Sequence, residues 1–406
     1  MRFLLRLIFG TEVDRALRPV LAVTFAGGVA TSTGIPFLGI WALKRLNASE
    51  VALSIGFLIS ALVAGAAGYI GGHLSDHIGR RPIILAGWIG LTLTPLGFLF
   101  VGHEVILGLG LMAVFALCGS LGQAANQAMI ADLVVSTKHE LAYAAVRVSQ
   151  NLGVSFGPLF GGVLLLGHSW PHLFAGMFVL AVVATAIAVR YIPSGGRYAP
   201  ESSPTRGSFA VVRRDRAFQL FLGSAVLAAM TYVAYETLLP ISLVTSHGLA
   251  PSAWGFLLVV NPILVTLVQL RLTRATAAIP AWLKLAVAMP LMGLPFLVLS
   301  VTAAVPVVAL LVLIFVIGEM LWVPTSQAVV AALAPADIRG AYMGAFGGSW
   351  AAAWALTPFF GLQLRHAFGD AVMWEGVAVI SVLAAIAGAA AAWGRDPAPA
   401  VASAAA

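Results

Sequence analysis

Two carboxyl groups stand in long apolar runs, where a permanent charge would be costly. Glu236 shortly precedes Pro240 in the run 218–246, and Glu319 lies near the middle of the run 305–331. A charge at the centre of a bilayer costs about 2.5–3.5 kcal/mol, and a carboxyl avoids this cost by holding a proton. Both residues are therefore candidate proton carriers. For each, a structural hydrogen bond between helices is the alternative.

Arg147 is the third ionisable residue predicted within an apolar run, and we expect it to be buried there. A guanidinium cannot readily lose its charge. Arg147 is therefore a candidate fixed charge that tunes a carboxylate or binds an anionic group. A structural ion pair near the membrane interface is an equal alternative.

Amides and aromatic rings in the apolar runs could line a cavity for a large amphipathic molecule. Ordinary helix packing is the alternative for any single aromatic ring. The candidate cavity residues are Gln123, Asn126, Gln127, Asn151, Tyr232, Tyr235, Trp322, Gln327, Trp350 and Trp354.

The sequence lacks the residues that a metal site, ATP-driven pumping or hydrolysis would need. His73 and His77 have a spacing that could share a metal, but no third ligand is evident, so we predict no metal site and no cofactor. No phosphate-binding loop occurs, which argues against ATP-driven pumping within this chain. The histidine pair also lacks partners for hydrolysis, and we predict that the protein is not an enzyme.

The elements that must position these residues are membrane-spanning helices. Of 406 residues, 61% are hydrophobic and 9% are charged, against about 25% charged in soluble domains. Apolar runs of about 20 residues predict an all-α integral membrane protein with twelve transmembrane helices. The predicted spans lie near 19–43, 51–71, 82–101, 105–131, 141–166, 170–192, 218–246, 252–270, 282–301, 305–331, 340–365 and 371–393.

Basic residues predict the orientation of these spans. With the N-terminus inside, 18 of the 22 Lys and Arg residues fall on inner segments, and only Lys44, Arg45 and Arg365 fall on outer loops. Cytoplasmic loops collect basic residues, so both termini are predicted to be cytoplasmic in the cell membrane. The same bias accounts for the net charge of +7 without a nucleic-acid partner.

The two halves resemble a repeat. Residues 126–128 (Asn-Gln-Ala) match 326–328 (Ser-Gln-Ala), and residues 158–161 (Pro-Leu-Phe-Gly) match 358–361 (Pro-Phe-Phe-Gly), both at an offset of 200. We therefore predict two pseudo-symmetric six-helix bundles. The predicted domains are a cytoplasmic amphipathic segment (1–18), the first bundle (19–192), a cytoplasmic linker (193–217), the second bundle (218–394) and a disordered tail (395–406).

A short segment between spans 2 and 3 carries a family resemblance. The sequence from Gly72 to Arg81 places Asp76 four residues after Gly72, Gly79 three residues later and Arg80 directly after it. This segment closely resembles the signature loop of the major facilitator superfamily. In span 5, residues 153–162 resemble the Gly-Pro motif of the drug:proton antiporters of that superfamily.

The resemblance implies a role for each motif. Gly72, Asp76, Gly79, Arg80 and Arg81, with Asp132 at the inner end of span 4, would form a network that latches the outward-facing state. Because Gly72 has no side chain, we also expect another helix to approach closely there. A solvated loop that only obeys the charge rule is the alternative. Within the span-5 motif, a helix bent by Pro158 would control leakage between the halves, and a generic packing helix is the alternative. Its glycines are Gly153, Gly157, Gly161 and Gly162.

The chain also departs from the family pattern. Span 1 contains no acidic residue, and Phe115 occupies the position in span 4 where such antiporters often carry Arg. If protons are coupled, Glu236 or Glu319 must carry them. We expect a monomer in membrane lipid that exports small amphipathic or hydrophobic organic compounds. Uptake or facilitated transport of a metabolite, and a receptor or scaffold, are the alternatives.

Overall fold

The computed structural model describes residues 15–134, 139–167, 169–194, 208–335 and 338–394. Within these ranges the chain is helical and contains no strand. The predicted tail (395–406), most of the N-terminal segment (1–18) and residues 195–207 of the predicted linker lie outside them.

The described chain is a succession of long helices. In chain order they are α1 (Arg18–Ser32), α2 (Ile35–Lys44), α3 (Glu50–Ile78), α4 (Arg80–Phe100), α5 (Val105–Leu133), α6 (His139–Leu164), α7 (Trp170–Tyr191), α8 (Ser208–Arg214), α9 (Arg216–Thr245), α10 (Pro251–Leu258), α11 (Val260–Ala275), α12 (Ala281–Gly293), α13 (Val305–Leu333), α14 (Arg339–Phe368) and α15 (Asp370–Ala392). Short 3₁₀ turns cover Arg15–Leu17 and Leu294–Ser300.

The helices group into two compact units. One comprises Met1–Glu201 and Leu249–Val259, and the other comprises Ser202–Gly248 and Val260–Ala406. In the first unit α5 packs on α3 and α4, and α1 packs on α6 and α7. In the second unit α9 packs on α14 and α15, and α12 packs on α13 and α15. The short helix α10 belongs to the first unit, where it packs on α6.

Two helix breaks are explained by proline. Proline has no backbone N–H and leaves the carbonyl four residues earlier without its helical hydrogen bond. Pro36 lies four residues after Ser32, where α1 ends, and Pro262 lies four residues after Leu258, where α10 ends. The breaks at Thr33–Gly34 and at Val259 therefore fall where a proline leaves a carbonyl unbonded, whereas Pro95, Pro158 and Pro324 lie inside unbroken helices.

In the described part of the chain, ten helices or broken helices are long and apolar enough to cross a membrane. Each corresponds to one of the predicted spans. The helices at the fifth and eleventh predicted spans, α6 and α14, are 26 and 30 residues long but are not among the ten.

The signature segment is more helical than the sequence predicts. We expected residues 72–81 to form a loop, but α3 continues to Ile78 and α4 begins at Arg80. Nothing between Gly72 and Ile78 breaks a helix, so the turn shrinks to Gly79. That residue adopts φ +94°, a conformation that favours glycine.

Candidate functional site

The two candidate carboxyls belong to one cluster in the second unit. Helix α9 carries Glu236, and α13 carries Glu319, whose Oε2 accepts a 2.7 Å hydrogen bond from Asn261 Nδ2 on α11. Glu236 and Glu319 interact electrostatically, and both also act on the phenols of Tyr232 and Tyr235. We call Tyr232, Tyr235, Glu236, Asn261 and Glu319 the carboxyl cluster.

Aromatic rings surround this cluster. Tyr232 lies 5.1 Å from Trp350, and Trp350 lies 5.5 Å from Trp322, measured between ring centroids. Tyr235 stacks on Phe315 at 4.2 Å. The structure thus brings together four of the five aromatic residues that the sequence singled out, and adds Phe315. A mostly apolar wall with a few polar groups is typical of a binding site for an amphipathic molecule.

Two other predicted cavity residues of the second unit lie apart from the cluster. Trp354 is 37% exposed, one helical turn beyond Trp350 on α14. Gln327 is half-buried, eight residues after Glu319 on α13. Among the described residues, neither Trp354 nor Gln327 makes a hydrogen bond or a ring contact with a member of the carboxyl cluster.

Proline shapes the helix beside Glu319. Pro324 in α13 leaves the carbonyl of Met320 without its helical partner. Gln269 on α11 fills the vacancy, because its Nε2 donates to Met320 O at 3.0 Å. Helix α11 is therefore hydrogen-bonded to α13 at two adjacent residues. Asn261 donates to the carboxyl of Glu319, and Gln269 donates to the backbone carbonyl of Met320.

In the first unit the predicted polar residues lie on two helices. On α5, Gln123 and Gln127 are exposed and Asn126 is half-buried. On α6, Asn151 is exposed. Tyr143 joins the two helices by donating to Gln127 O at 3.2 Å.

The side chain of Arg147 is exposed and does not pack among the helices as expected, and its role as a fixed intramembrane charge stays a prediction. Ala145, Val146 and Ser149 are buried and define the packed face of this part of α6. At 100° per residue, Arg147 points to the opposite face. The sequence showed that Arg147 lies on a helix but not which face of the helix packs.

The signature segment forms a network around one buried guanidinium. Arg80 is 9% exposed, and its Nε donates to Asp132 Oδ2 at 3.1 Å. Its Nη1 donates to Ser75 Oγ at 2.7 Å and to Asp76 Oδ1. The pair between Arg80 and Asp132 that the sequence predicted is present. Ser75 is an additional member.

Arg81 has a different role from its neighbour. Its Nη2 donates to Val189 O at 2.6 Å and its Nη1 donates to Ser194 Oγ at 3.2 Å. Arg81 therefore ties α4 to α7 and to the residues after it.

The close helix approach expected at Gly72 occurs at its neighbour Gly71. A Cβ added at Gly71 would lie 2.1 Å from Leu121 O, a backbone atom of α5. Gly71 is buried and Gly72 is half-buried, so the packed face of α3 passes through Gly71. Position along the chain alone did not distinguish the two glycines.

The glycines of α6 let two helices approach it closely. A Cβ at Gly153 would lie 2.5 Å from Phe25 O, and one at Gly161 would lie 2.2 Å from Thr33 O, both on or just after α1. Gly157 meets Ser32 and Thr33 in the same way. Gly162 faces α10 instead, where a Cβ on Gly255 would lie 2.7 Å from the Cα of Gly162. The sequence did not identify Gly255.

A second ionic network, which the sequence missed, lies in the second unit. Arg365, predicted on an outer loop, is in α14 and only 9% exposed. Its Nε donates to Asp370 Oδ1 at 2.7 Å, across a turn at Gly369. Asp370 Oδ2 accepts from Ser242 at 2.6 Å, and Arg365 Nη2 donates to Thr245 at 2.6 Å and to Ser246 at 2.7 Å.

Asp215 is another polar residue that the sequence did not single out. Its Oδ1 caps α9 by accepting from Phe218 N at 3.0 Å, and its Oδ2 accepts from Tyr342 on α14 at 2.9 Å.

His73 and His77 lie with ring centroids 4.6 Å apart. In the described residues, no group of three metal-ligating side chains occurs.

Comparison with known proteins identifies related sequences. Residues 20–358 match the sequence profile of the Major Facilitator Superfamily. The uncharacterized MFS-type transporter YqjV of Bacillus subtilis is 24% identical over 81% of each chain. A Na(+), Li(+), K(+)/H(+) antiporter of Planococcus maritimus is 23% identical over 82% of this chain and 85% of its own. The multidrug resistance protein MdtH of Shigella boydii is 23% identical over 76% of each chain.

Solved structures share the fold. A peptide transporter POT in complex with sulfate aligns with a TM-score of 0.74 at 16% identity, covering 95% of this chain and 96% of its own. The nucleoside transporter NupG aligns with a TM-score of 0.76 at 13% identity, covering 93% of this chain and all of its own.

Proposed function

Because this chain belongs to the major facilitator superfamily, we propose that it exports small amphipathic or hydrophobic organic compounds in exchange for protons, by alternating access. It is a transporter and not an enzyme, and its setting is membrane lipid. We further propose that twelve helices span the cell membrane as two pseudo-symmetric six-helix bundles, that both termini are cytoplasmic, and that the monomer is the working form. Two of the relatives carry antiporter or multidrug names, which favours this direction of transport.

The carboxyl cluster is the observation that carries this proposal. Glu319 lies half-buried with one donor, Asn261, and with a second carboxyl, Glu236, within electrostatic range. Two neighbouring carboxyls in an apolar region cannot both remain charged at low cost, so one proton is readily held between them. The proton is the coupling ion in this account, and no cofactor is required.

Alternating access sets the direction in which the cluster moves protons. When it is open to the outside, the cluster takes up a proton, and when it is open to the inside it releases that proton. Each inward proton gains about 2.3 kcal/mol per 100 mV of membrane potential. Substrate binding from the inside promotes deprotonation, so proton release and substrate export are linked. The aromatic wall formed by Tyr232, Trp322 and Trp350 favours a flat apolar substrate.

The first unit supplies the gate in this proposal. The network of Asp76, Arg80 and Asp132 would close one side in the outward-facing state and open in the other. The glycine-packed α6 would keep the remaining path tight. Neither motif touches the substrate in this scheme.

One specific observation favours a second function, exchange of a monovalent metal cation for protons. Two carboxyls and the amide of Asn261 offer oxygen ligands, which hard cations prefer. One of the relatives is a Na(+), Li(+), K(+)/H(+) antiporter. Uptake of a metabolite is the further alternative, because the fold is shared with peptide and nucleoside transporters.

Flux in proteoliposomes separates these functions. The protein is reconstituted, and ethidium movement is measured with and without a pH gradient for the wild type, Glu236→Gln, Glu319→Gln and the double variant. The proposal predicts that neutralising the carrier abolishes acceleration by the gradient but spares ethidium-for-ethidium exchange. Gradient-driven ethidium transport by the double variant at the wild-type rate would contradict it. Gradient-driven K⁺ or Na⁺ flux without ethidium flux would establish the second function instead.

A further inference from the structure

We propose that Asn261 is a positioning residue that couples the break in the eighth predicted span to the protonation of Glu319. The inference rests on the proposed function, since it assumes that Glu319 exchanges protons. Beyond that function, the inference gives Asn261 on α11 a role and links the helix break mechanically to the carboxyl cluster.

The position of the break is the first observation. Helix α10 ends at Leu258 and α11 begins at Val260. The division between the two compact units falls at the same point, because Val259 closes one unit and Val260 opens the other. Proline at 262 removes the hydrogen bond that would stiffen this point. Asn261 therefore lies directly after the helix break, two residues from Val259.

The two sides of the break are held differently. Helix α10 is anchored to α6 within the first unit, where Gly255 contacts the backbone of Gly162. Helix α11 is anchored to α13 within the second unit through Asn261 and Gln269. No described residue of α11 is fully buried, and these two side chains bond the helix to α13. A change in direction at Val259 is therefore passed directly to Asn261.

The contact that Asn261 makes is chemically sensitive. Its Nδ2 donates to Glu319 Oε2 at 2.7 Å. A donor stabilises the charged form of a carboxyl, and its removal favours the protonated form. The other groups that act on Glu319 are Glu236, Tyr232 and Tyr235, all on α9. Asn261 is thus the donor that a movement of α11 can add or withdraw.

The chain contains a matched control on the same pair of helices. Gln269 donates to the backbone carbonyl of Met320, next to Glu319, but does not contact the carboxyl. Gln269→Met and Asn261→Leu each delete one hydrogen bond between α11 and α13. Each also deletes one further contact: Asn261 interacts with the phenol of Tyr235, and Gln269 donates to Thr273. A purely structural role for Asn261 predicts the same result for both variants.

Infrared titration of purified protein in detergent reads the carboxyl directly and needs no substrate. The signal is the carbonyl stretch of a protonated carboxyl that disappears in Glu319→Gln. We expect Asn261→Leu to move the midpoint of this titration to higher pH by about one unit, a tenfold increase in proton affinity. Asn261→Asp retains the shape and adds a like charge, so it should move the midpoint further. Gln269→Met should leave the midpoint within about 0.3 units of the wild type, well below the one-unit change expected from a lost charge-assisted bond.

Two results would overturn the proposal: an unchanged midpoint in both Asn261 variants, or an equal shift in Gln269→Met. Failure of the proposed function has a different signature. In that case the double variant Glu236→Gln, Glu319→Gln would transport ethidium at the full gradient-driven rate, whatever the titration of the Asn261 variants shows.

Discussion

Two single-glycine turns, one in each unit, have the same backbone and opposite electrostatics. Gly79 joins α3 to α4 at φ +94°, and Gly369 joins α14 to α15 at φ +90°. Each turn is crossed by one ion pair, Asp76 with Arg80 and Arg365 with Asp370. Both turns therefore need the glycine, whereas the placement of the charges around it can differ.

The charges at the two turns are placed oppositely with respect to the helix dipoles. At Gly369 the cation lies in the last turn of α14 and the anion is the first residue of α15, so both charges are favourably placed. At Gly79 the anion lies near the end of α3 and the cation is the first residue of α4, so both are unfavourably placed. Each such charge is worth about 0.3–1 kcal/mol at low ionic strength.

The partners of the two pairs strengthen the contrast. Around Arg365 and Asp370, hydroxyls of Ser242, Thr245 and Ser246 satisfy the remaining groups. Around Arg80, the third group is a second carboxylate, Asp132. The turn at Gly369 is therefore built to remain closed. The turn at Gly79 depends on one guanidinium shared by two acids, an arrangement that a switch can open.

The largest expected effect is on stability, at Arg365. Arg365→Gln leaves the half-buried Asp370 without its main counter-charge. Breaking a fully buried pair costs about 3–5 kcal/mol, which is an upper limit here because Asp370 is partly exposed. We expect a large fall in the unfolding temperature of the detergent-solubilised protein. The double variant Arg365→Gln, Asp370→Asn removes both charges and should recover part of the loss. If the double variant is the less stable of the two, the view of this turn as a buried structural pair is wrong.

A smaller effect on stability and a larger effect on function are expected at Asp132. Asp132→Asn leaves Arg80 bound to Asp76 and Ser75, so the protein should still insert and fold. Because the proposed latch is weakened, we expect transport to fall at least about tenfold, which corresponds to about 1.4 kcal/mol. The chain has one cysteine, Cys118, which is buried. Single cysteines introduced on the predicted cytoplasmic side should therefore become more accessible to a thiol reagent in this variant. Wild-type flux together with wild-type accessibility would remove the distinction between the two turns.

The carboxyl cluster shows what could be predicted from sequence. Glu236 lies one turn from Tyr232, and Trp322 lies one turn from Glu319, so helical spacing alone predicts their shared faces. Asn261 was not predicted, because its role follows from a helix break and a neighbouring helix. The available signal was an amide directly before Pro262 within an apolar run.

The errors have a common physical cause. The exposure of Arg147 and the close packing at Gly71 rather than Gly72 both depend on which helix face packs, and position along an apolar run does not reveal that face. The network of Arg365 was missed because its charges were assigned to an outer loop. Its sequence signal was the order of residues, since Arg365, Gly369 and Asp370 repeat the order charge, glycine, opposite charge of Asp76, Gly79 and Arg80 with the signs exchanged and one more residue before the glycine.

The central claim is that the carboxyl cluster exchanges a proton for substrate, and proton release on binding tests it most directly. Ethidium is added to purified protein in weakly buffered detergent solution, and a pH indicator measures protons released per ethidium bound. The account predicts about one proton per ethidium for the wild type, because the proposed exchange releases one proton from the cluster for each substrate bound. It predicts none for Glu236→Gln, Glu319→Gln combined. Release from the double variant equal to that of the wild type would contradict it.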